Sequence, residues 1–504
     1  MKNLILILIL TFVNINNFIF SQNINIIPLP VNLELAEGNF VINDITTIYI
    51  EKNEEIYLRT AEHLKDNIFK RTGINLKISV NSNKPGIQIF IDSLNVKETD
   101  GYSIEIKKDI IKVIANNSNG AFYAVQTLKM LLKKNDNIYF QCCKIYDFPR
   151  YAYRGFMLDS SRHFQSVNFI KRILEIMSVL KLNIFHWHLS DDEGWRIESI
   201  KYPKLNRIGS YQDSLNSKER NGYYKISEIK EIIEYAEKLH IKIIPEIEMP
   251  GHSRAIMKSF PELLCKTNEG GNTFCAGNEK SYEFIKNLIG EVLDIFHPEI
   301  IHVGGDERPK GIWEKCPDCN VMIQKTKLEN EDMLQNYFMK EICDYITTKG
   351  VKTFAWAENI KEGVPANQII EGWHPGDSWE AANNDQFTVN ADNWFVYFDY
   401  PSYPRNDKPN WMLVLNLEKV YSFDPTPDSL DESKHKYILG SECALWTELV
   451  LENDVQYQLF PRILALSEVV WSKPHKDYRY FLNRVIHLKS YFDYYGFEYE
   501  KGAW

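Results

Sequence analysis

Two adjacent acids closing an apolar run, His302-Val303-Gly304-Gly305-Asp306-Glu307, carry the strongest chemical signal in this chain. A glycine pair lets the backbone take unusual φ values or approach another segment closely. Neighbouring residues at a strand end point in different directions, so the two carboxylates would reach different parts of a bound molecule. Carboxyl groups so placed are standard equipment for general acid–base chemistry. Out of context the hexapeptide is also a glycine turn followed by solvated acids, because Asp and Glu are mostly exposed. The strand-end position favours the chemical reading.

A second group is Phe185-His186-Trp187-His188-Leu189-Ser190-Asp191-Asp192. His186 and His188 share one face of a strand, and with His252 and His302 they would make a hydrolytic metal site. The competing account makes them core histidines hydrogen-bonded to Asp191, Asp192 and Glu246, the commoner fate of single histidines. Arg162, in Leu158-Asp159-Ser160-Ser161-Arg162-His163-Phe164, offers a rigid fork of donors suited to vicinal hydroxyls. A lone Arg is more often a structural ion pair. Aromatic residues gather late in the chain: Trp356, Trp373, Tyr397, Trp411 and Trp446. Trp faces pack against the apolar face of a pyranose and exclude water. Any one of them is core by default; four tryptophans near one rim are harder to explain that way.

The elements that must position these groups divide the chain in two. Residues 22–149 hold short alternating runs, such as Ile87–Ile91 and Tyr102–Ile106, with amphipathic stretches around Leu58–Arg71 and Gly120–Leu132, which reads as a small α+β domain. Asp147-Phe148-Pro149-Arg150 marks its end. From residue 150 to 504, apolar strands alternate with helical patterns, the signature of βα units. The strands are read as Arg154–Leu158, Ile184–Leu189, Ile241–Ile247, Ile300–Val303, Thr353–Trp356, Ile369–Trp373, Trp394–Phe398 and Ile438–Leu445. Each is followed by functional-looking groups: Arg162, Asp191, Glu248 with His252, Asp306-Glu307, Glu358, Trp373, Asp399, and Trp446 with Glu448. Eight strands with such carboxyl ends predict an α/β fold of the (β/α)₈ TIM-barrel type. Between Glu358 and Trp373 there is too little chain for a full helix, so that crossover is expected to be reduced.

Bulk properties narrow the classes. A net charge of −10 and a pI near 5.7, with no long basic run, argue against nucleic acid as a partner. Met1-Lys2-Asn3, the apolar run Leu4–Val13 and the small residue Ser21 read as a signal peptide over residues 1–21. The mature protein is then expected in the periplasm or outside the cell, without stable membrane insertion, because Asn14, Asn16 and Asn17 interrupt the run well short of the ~20 residues a span needs. Cys316-Pro-Asp-Cys319 has no second C-x-x-C to complete a zinc site. A local disulfide or two plain thiols is the reading, and Cys265 with Cys275 offers another bridge.

Taken together, these motifs resemble the family 20 glycoside hydrolases, the β-N-acetylhexosaminidases, over nearly the whole chain after the signal segment. The resemblance rests on Arg162-His163-Phe164, on His188 with Ser190-Asp191-Asp192-Glu193-Gly194-Trp195-Arg196, on Pro245 to His252, and on the His302–Glu307 hexapeptide, in the family's order. It implies a small α+β domain before a (β/α)₈ catalytic barrel, and a glycan substrate with a terminal N-acetylhexosamine. It implies that Glu307 is the general acid/base and that Asp306 orients the 2-acetamido group. Tyr397 would donate to the acetamido carbonyl, and Trp356, Trp373 and Trp446 would wall the pocket, with Trp411 nearby. Arg162 and Glu448 would hold hydroxyls of the terminal sugar, with Asp399 beside them, while Asp191 and His252 support the pocket; Asp192 is the alternative to Asp191. No metal or cofactor is implied. Ala357, where the family often has an acid, is a departure that touches the aglycone side. Two other readings stay in view, a metal-dependent barrel hydrolase and a non-catalytic glycan-binding protein on the same fold.

Overall fold

The computed structural model describes residues 24–80, 84–211, 220–267, 271–358, 365, 368–404, 408–473 and 477–499. The segment read as a signal peptide lies outside the described residues, as does most of the crossover after Glu358. No helix among the described residues is long and apolar enough to cross a membrane.

Strict alternation builds the first sheet. Tyr102, Ile104 and Ile106 are buried while Ser103 and Glu105 between them are not, the period of two expected of a strand with one covered face. The resulting eight-stranded mixed sheet starts at Asn32–Val41, which pairs antiparallel with Ile138–Asp147. Helices Glu55–Thr72 and Ser118–Leu131 belong to the same unit. Asn117 caps the second by accepting from the Gly120 N–H, which satisfies one of the donors a helix start leaves free.

The barrel comprises β1 (Tyr153–Asp159), β2 (Ile184–His188), β3 (Lys242–Glu246), β4 (Ile300–His302), β5 (Lys352–Trp356), β6 (Gln368–Gly372), β7 (Thr388–Asn390) and β8 (Ile438–Leu445). Adjacent strands pair in parallel and β8 returns to β1, closing the ring. Helices Val167–Val179, Ile226–Lys238 and Glu279–Phe296 follow β1, β2 and β3 and bury apolar stripes at helical spacing, as with Ile170, Ile173, Leu174 and Met177.

One strand differs from the sequence reading. The seventh is Thr388–Asn390, not Trp394–Phe398. Three residues are too few for alternation to register, whereas the later segment looks strand-like because its tail behaves as one. Phe398 N donates to Ala444 O at 2.7 Å and Ala444 N to Val396 O at 3.0 Å. Its start is instead folded over Asp392, whose carboxylate accepts from Trp394 N at 2.8 Å.

Asp147 fixes how the two domains meet. Completely buried, its carboxylate accepts from Trp471 Nε1 at 3.0 Å and faces Lys181 Nζ at 3.0 Å. Residues near both ends of the chain reinforce this joint: Leu29 N donates to Glu468 at 3.0 Å and Arg484 to Ile26 O at 2.7 Å.

Candidate active site

The glycine pair after β4 does both things a glycine pair can do. Gly304 and Gly305 have φ of 64° and 106°, values that side chains disfavour. A Cβ on Gly304 would collide with the Glu248 carboxylate. The turn is held by Trp356 N donating to Gly304 O at 3.0 Å and by Gln335 Nε2 donating to Gly305 O at 2.7 Å. It delivers the two acids to different environments, with the Asp306 side chain 14% exposed and that of Glu307 59% exposed. Glu307 itself sits at φ 43°, a left-handed conformation that a non-glycine residue keeps only when its surroundings enforce it.

His252 stands between the acids and the layer behind them. Its Nε2 lies 3.7 Å from Asp306 and 3.4 Å from Glu307, while Nδ1 meets Asp191 at 3.1 Å. Burial opposes charge on this ring, but the carboxylates of Asp191 and Asp306 outweigh it and raise its pKa. The contact with His252 in turn holds Glu307 below its ordinary value. Asp306 moves the other way, raised by burial against the pull of the His252 cation.

Arg162 is gripped from several sides. Its guanidinium contacts Asp191 at 2.8 Å, Glu193 at 3.2 Å, Asp159 at 3.3 Å and Glu448 at 3.7 Å, and lies 5.0 Å from the Trp446 ring centre. It is thus an ion-pair hub that also lines the cavity described below. The structure also separates Asp191 from Asp192. Asp191 joins Arg162 to His252, whereas Asp192 turns away to accept from Arg254 N at 3.1 Å and Asn272 at 3.0 Å.

Beneath the pocket, inward-facing positions of the strands carry charge instead of hydrocarbon. His186 Nδ1 faces Glu442 at 2.8 Å and Nε2 faces Glu246 at 2.9 Å. His302 Nδ1 meets the other Glu246 oxygen at 2.7 Å, and Trp356 Nε1 donates to that oxygen at 2.8 Å. Although burial disfavours its charge, the carboxylates of Glu442 and Glu246 raise His186 to about 9; burial, helped by the charge on His186 and opposed by Glu246, takes His302 down to about 4. The nitrogens of His186 and His302 thus face carboxylates in a packed layer, with His186 Nε2 and His302 Nε2 making no hydrogen bond among the described residues. Glu371 and Glu442 in this layer were not anticipated. Their signal was available, since each is a lone acid at the inward position of a buried strand.

Above this layer is a cavity of about 260 Å³. Of the residues singled out from sequence, Arg162, His252, Asp306, Glu307, Trp356, Trp373, Tyr397, Asp399, Trp411, Trp446 and Glu448 line it. Asp191 sits behind the wall. Tyr400, Met412 and Leu449 also line it and were missed, lacking any motif. Trp356 and Trp446 stand 5.7 Å apart, with Tyr397 6.2 Å from Trp446. Trp411, 66% exposed, forms the outer lip against Tyr400. Asp306 Oδ1, Asp399 Oδ1 and Trp373 Nε1 are buried and meet no hydrogen-bond partner among the described residues. Orphaned buried polar atoms are costly, and these three border one small cavity at the carboxyl end of the barrel, where such folds bind their ligands.

The profile of the glycosyl hydrolase family 20 catalytic domain matches residues 151–474, and that of the family's domain 2 matches residues 23–148. The chain belongs to glycosyl hydrolase family 20. This family 20 protein is 33% identical over 505 residues to a β-hexosaminidase of Porphyromonas gingivalis, covering 95% of this chain and 65% of that one. With a β-hexosaminidase of Vibrio furnissii it shares 31% identity, over 73% of this chain and 64% of the other. The chain thus spans a little under two thirds of the length of these curated relatives. Its fold superposes on the exo β-N-acetylglucosaminidase of Vibrio harveyi in complex with N-acetylglucosamine at a TM-score of 0.87 and 30% identity, covering 95% of this chain and 78% of that structure. For the β-N-acetylhexosaminidase of Bacteroides fragilis the TM-score is 0.84 and the identity 32%, covering 95% and 97%. Membership in family 20 does not favour the metal-dependent or the purely binding reading.

Proposed function

We propose that this chain is an exo-acting retaining β-N-acetylhexosaminidase, releasing terminal N-acetylglucosamine or N-acetylgalactosamine with the substrate's 2-acetamido oxygen as nucleophile. The observation that carries this reading is the buried, unpartnered Asp306 Oδ1 beside Glu307 in an aromatic-walled cavity. Pockets for drug-sized ligands run to roughly 300–1,000 Å³, so this cavity suits one terminal sugar. Burial, reinforced by the charge on Glu371, raises the Tyr397 pKa and keeps its hydroxyl protonated as a donor to the acetamido carbonyl. Asp399, pushed up to about 8 by burial and by the charge on Glu448, is suited to holding a sugar hydroxyl.

In the first step the acetamido oxygen forms a bond to C1 as the glycosidic bond breaks and Glu307 protonates the departing oxygen. Asp306 aligns the acetamido group and balances the positive charge of the cyclic oxazolinium. Water then opens the ring at C1 while Glu307 takes its proton, so two inversions give net retention. This departs from the two-carboxylate scheme, since the second group belongs to the substrate. Nucleophile and carbon in one molecule remove much of the entropic barrier. The His252 contact lowers Glu307, so desolvation under the bound glycan has to favour the protonated acid.

A screen of aryl β-glycosides differing only at C2 and C4 tests the proposal. The 2-acetamido compounds are expected to be hydrolysed and the 2-hydroxy compounds to be essentially inert. Comparable turnover of a plain glucoside would overturn it. We also propose export to the periplasm or the exterior, supported by the Leu4–Val13 run. N-terminal sequencing of protein recovered outside the cytoplasm should begin near residues 20–22; retention of Met1 would count against it.

A further inference from the structure

Four cysteines far apart in sequence meet behind the active-site loops. Cys265 and Cys275 lie in the segment after β3, and Cys316 and Cys319 in the segment after β4. All four are buried, and their sulfurs lie within 4.8 Å of one another. Cys265–Cys319, Cys275–Cys316 and Cys275–Cys319 are each separated by 3.7 Å. Two disulfides would give every sulfur a single close partner. Here Cys275 and Cys319 each have two, and no pair is singled out. A zinc ion with Zn–S bonds of ~2.3 Å at the centre of a tetrahedron sets its sulfurs ~3.8 Å apart, which is the spacing observed.

We propose that Cys265, Cys275, Cys316 and Cys319 bind a structural zinc ion that ties the loop carrying His252 to the loop carrying Asp306 and Glu307. The donor set is all sulfur, which selects zinc or iron over hard cations. The surroundings are shaped for the site. Cys316 occupies the N-cap position of the helix Pro317–Thr326 and Cys319 sits in its first turn. The loop bearing Cys275 presses on that turn so closely that a Cβ on Gly277 would collide with the Asp318–Cys319 backbone.

From the site, contacts run to both catalytic loops. Phe274 N donates to Pro250 O at 2.9 Å, next to the His252 turn, and Trp313 Nε1 donates to Phe274 O at 3.0 Å. The Arg308 guanidinium, following Glu307, lies 4.6 Å from the Trp313 ring centre. With four protein ligands the site is closed, so the ion has no open position for substrate and takes no part in the chemistry. None of the four cysteines lines the sugar cavity. From sequence only Cys316–Cys319 had zinc-knuckle spacing; the second pair comes together only through the fold.

The test is elemental analysis of the purified full chain, with thiols counted by alkylation before and after denaturation in chelator, and intact mass. The expected result is one zinc per chain and, because all eight cysteines are buried, eight thiols after denaturation in chelator with no mass deficit for disulfides. Cys343→Ser should keep the zinc, while Cys316→Ser with Cys319→Ser should lower it at least tenfold. The wild-type measurements stand even if the double variant does not fold. Two disulfides, seen as a mass lower by four hydrogens and no metal, would overturn the proposal. So would four metal-free thiols, or iron in place of zinc.

Discussion

The adjacency of Asp306 and Glu307 makes a prediction that separates their roles. In Asp306→Asn the buried side chain, 3.7 Å from His252 and 14% exposed, keeps its shape and loses its charge. The charge it is proposed to balance is that of the oxazolinium. At ~4 Å and an effective dielectric of ~20 two unit charges interact by about 4 kcal/mol, and lost electrostatic stabilisers cost about 10²–10³ in rate. Every substrate must use its acetamido group, so the loss should be ~10²–10³ on a nitrophenyl glycoside and on a natural disaccharide alike. Glu307→Ala removes a proton donor, whose absence matters less when the leaving group is already good. Its penalty should therefore be far smaller on the nitrophenyl compound than on the disaccharide. The assay is kcat/KM for both variants on both substrates, which reports transition-state stabilisation. Equal leaving-group dependence in the two variants would refute the assignment.

Three further outcomes follow from the same geometry. His252→Gln removes the cation that favours ionised Glu307 and Asp306, so both carboxyl pKa values rise and both limbs of the kcat/KM–pH profile should move to higher pH; an unmoved profile would show the contact to be irrelevant. Arg162→Leu leaves Asp159 and Asp191 buried without their cation and should cost about 3–5 kcal/mol in urea unfolding, with a loss under ~1 kcal/mol, the scale of an exposed pair, counting against the hub. Asp159 is held below its ordinary value because Arg162 and His188 outweigh the opposing effect of burial, so its share of stability is present above the unfolded carboxylate pKa and lost on acidification below it; unfolding free energy that does not decline below about pH 4 would contradict this.

The acidic pair was legible because everything that places it is local: an apolar strand, two glycines, then two acids. The rim tryptophans were legible as a set, through their recurrence after strand ends. What stayed hidden depends on partners distant in sequence. Arg162 read as either a sugar ligand or an ion pair; the ion pairs with Glu193 and Glu448 are present, and the residue also lines the cavity. The seventh strand was misplaced because a three-residue strand carries no periodicity, while its neighbour borrows hydrogen bonds from β8. Glu371 and Glu442 went unremarked because a strand pattern marks a lone acid as a break, and only the closed ring shows that it faces histidines.

The ring closes only when β8 pairs with β1, and this orders events during synthesis. At roughly 5–20 residues per second, β1 waits roughly 15–60 s for the segment beginning at Ile438 to be made. The segment that carries Tyr397 and Asp399 is fastened later still, though its own wait is shorter. Arg462 fastens it by donating to Phe398 O, Tyr400 O at 2.8 Å and Leu415 O at 3.1 Å. A chain stopped before Arg462 can hold Asp306 and Glu307 yet cannot fix the wall opposite them. On the proposed reading, the site is complete only once Arg462 has been translated.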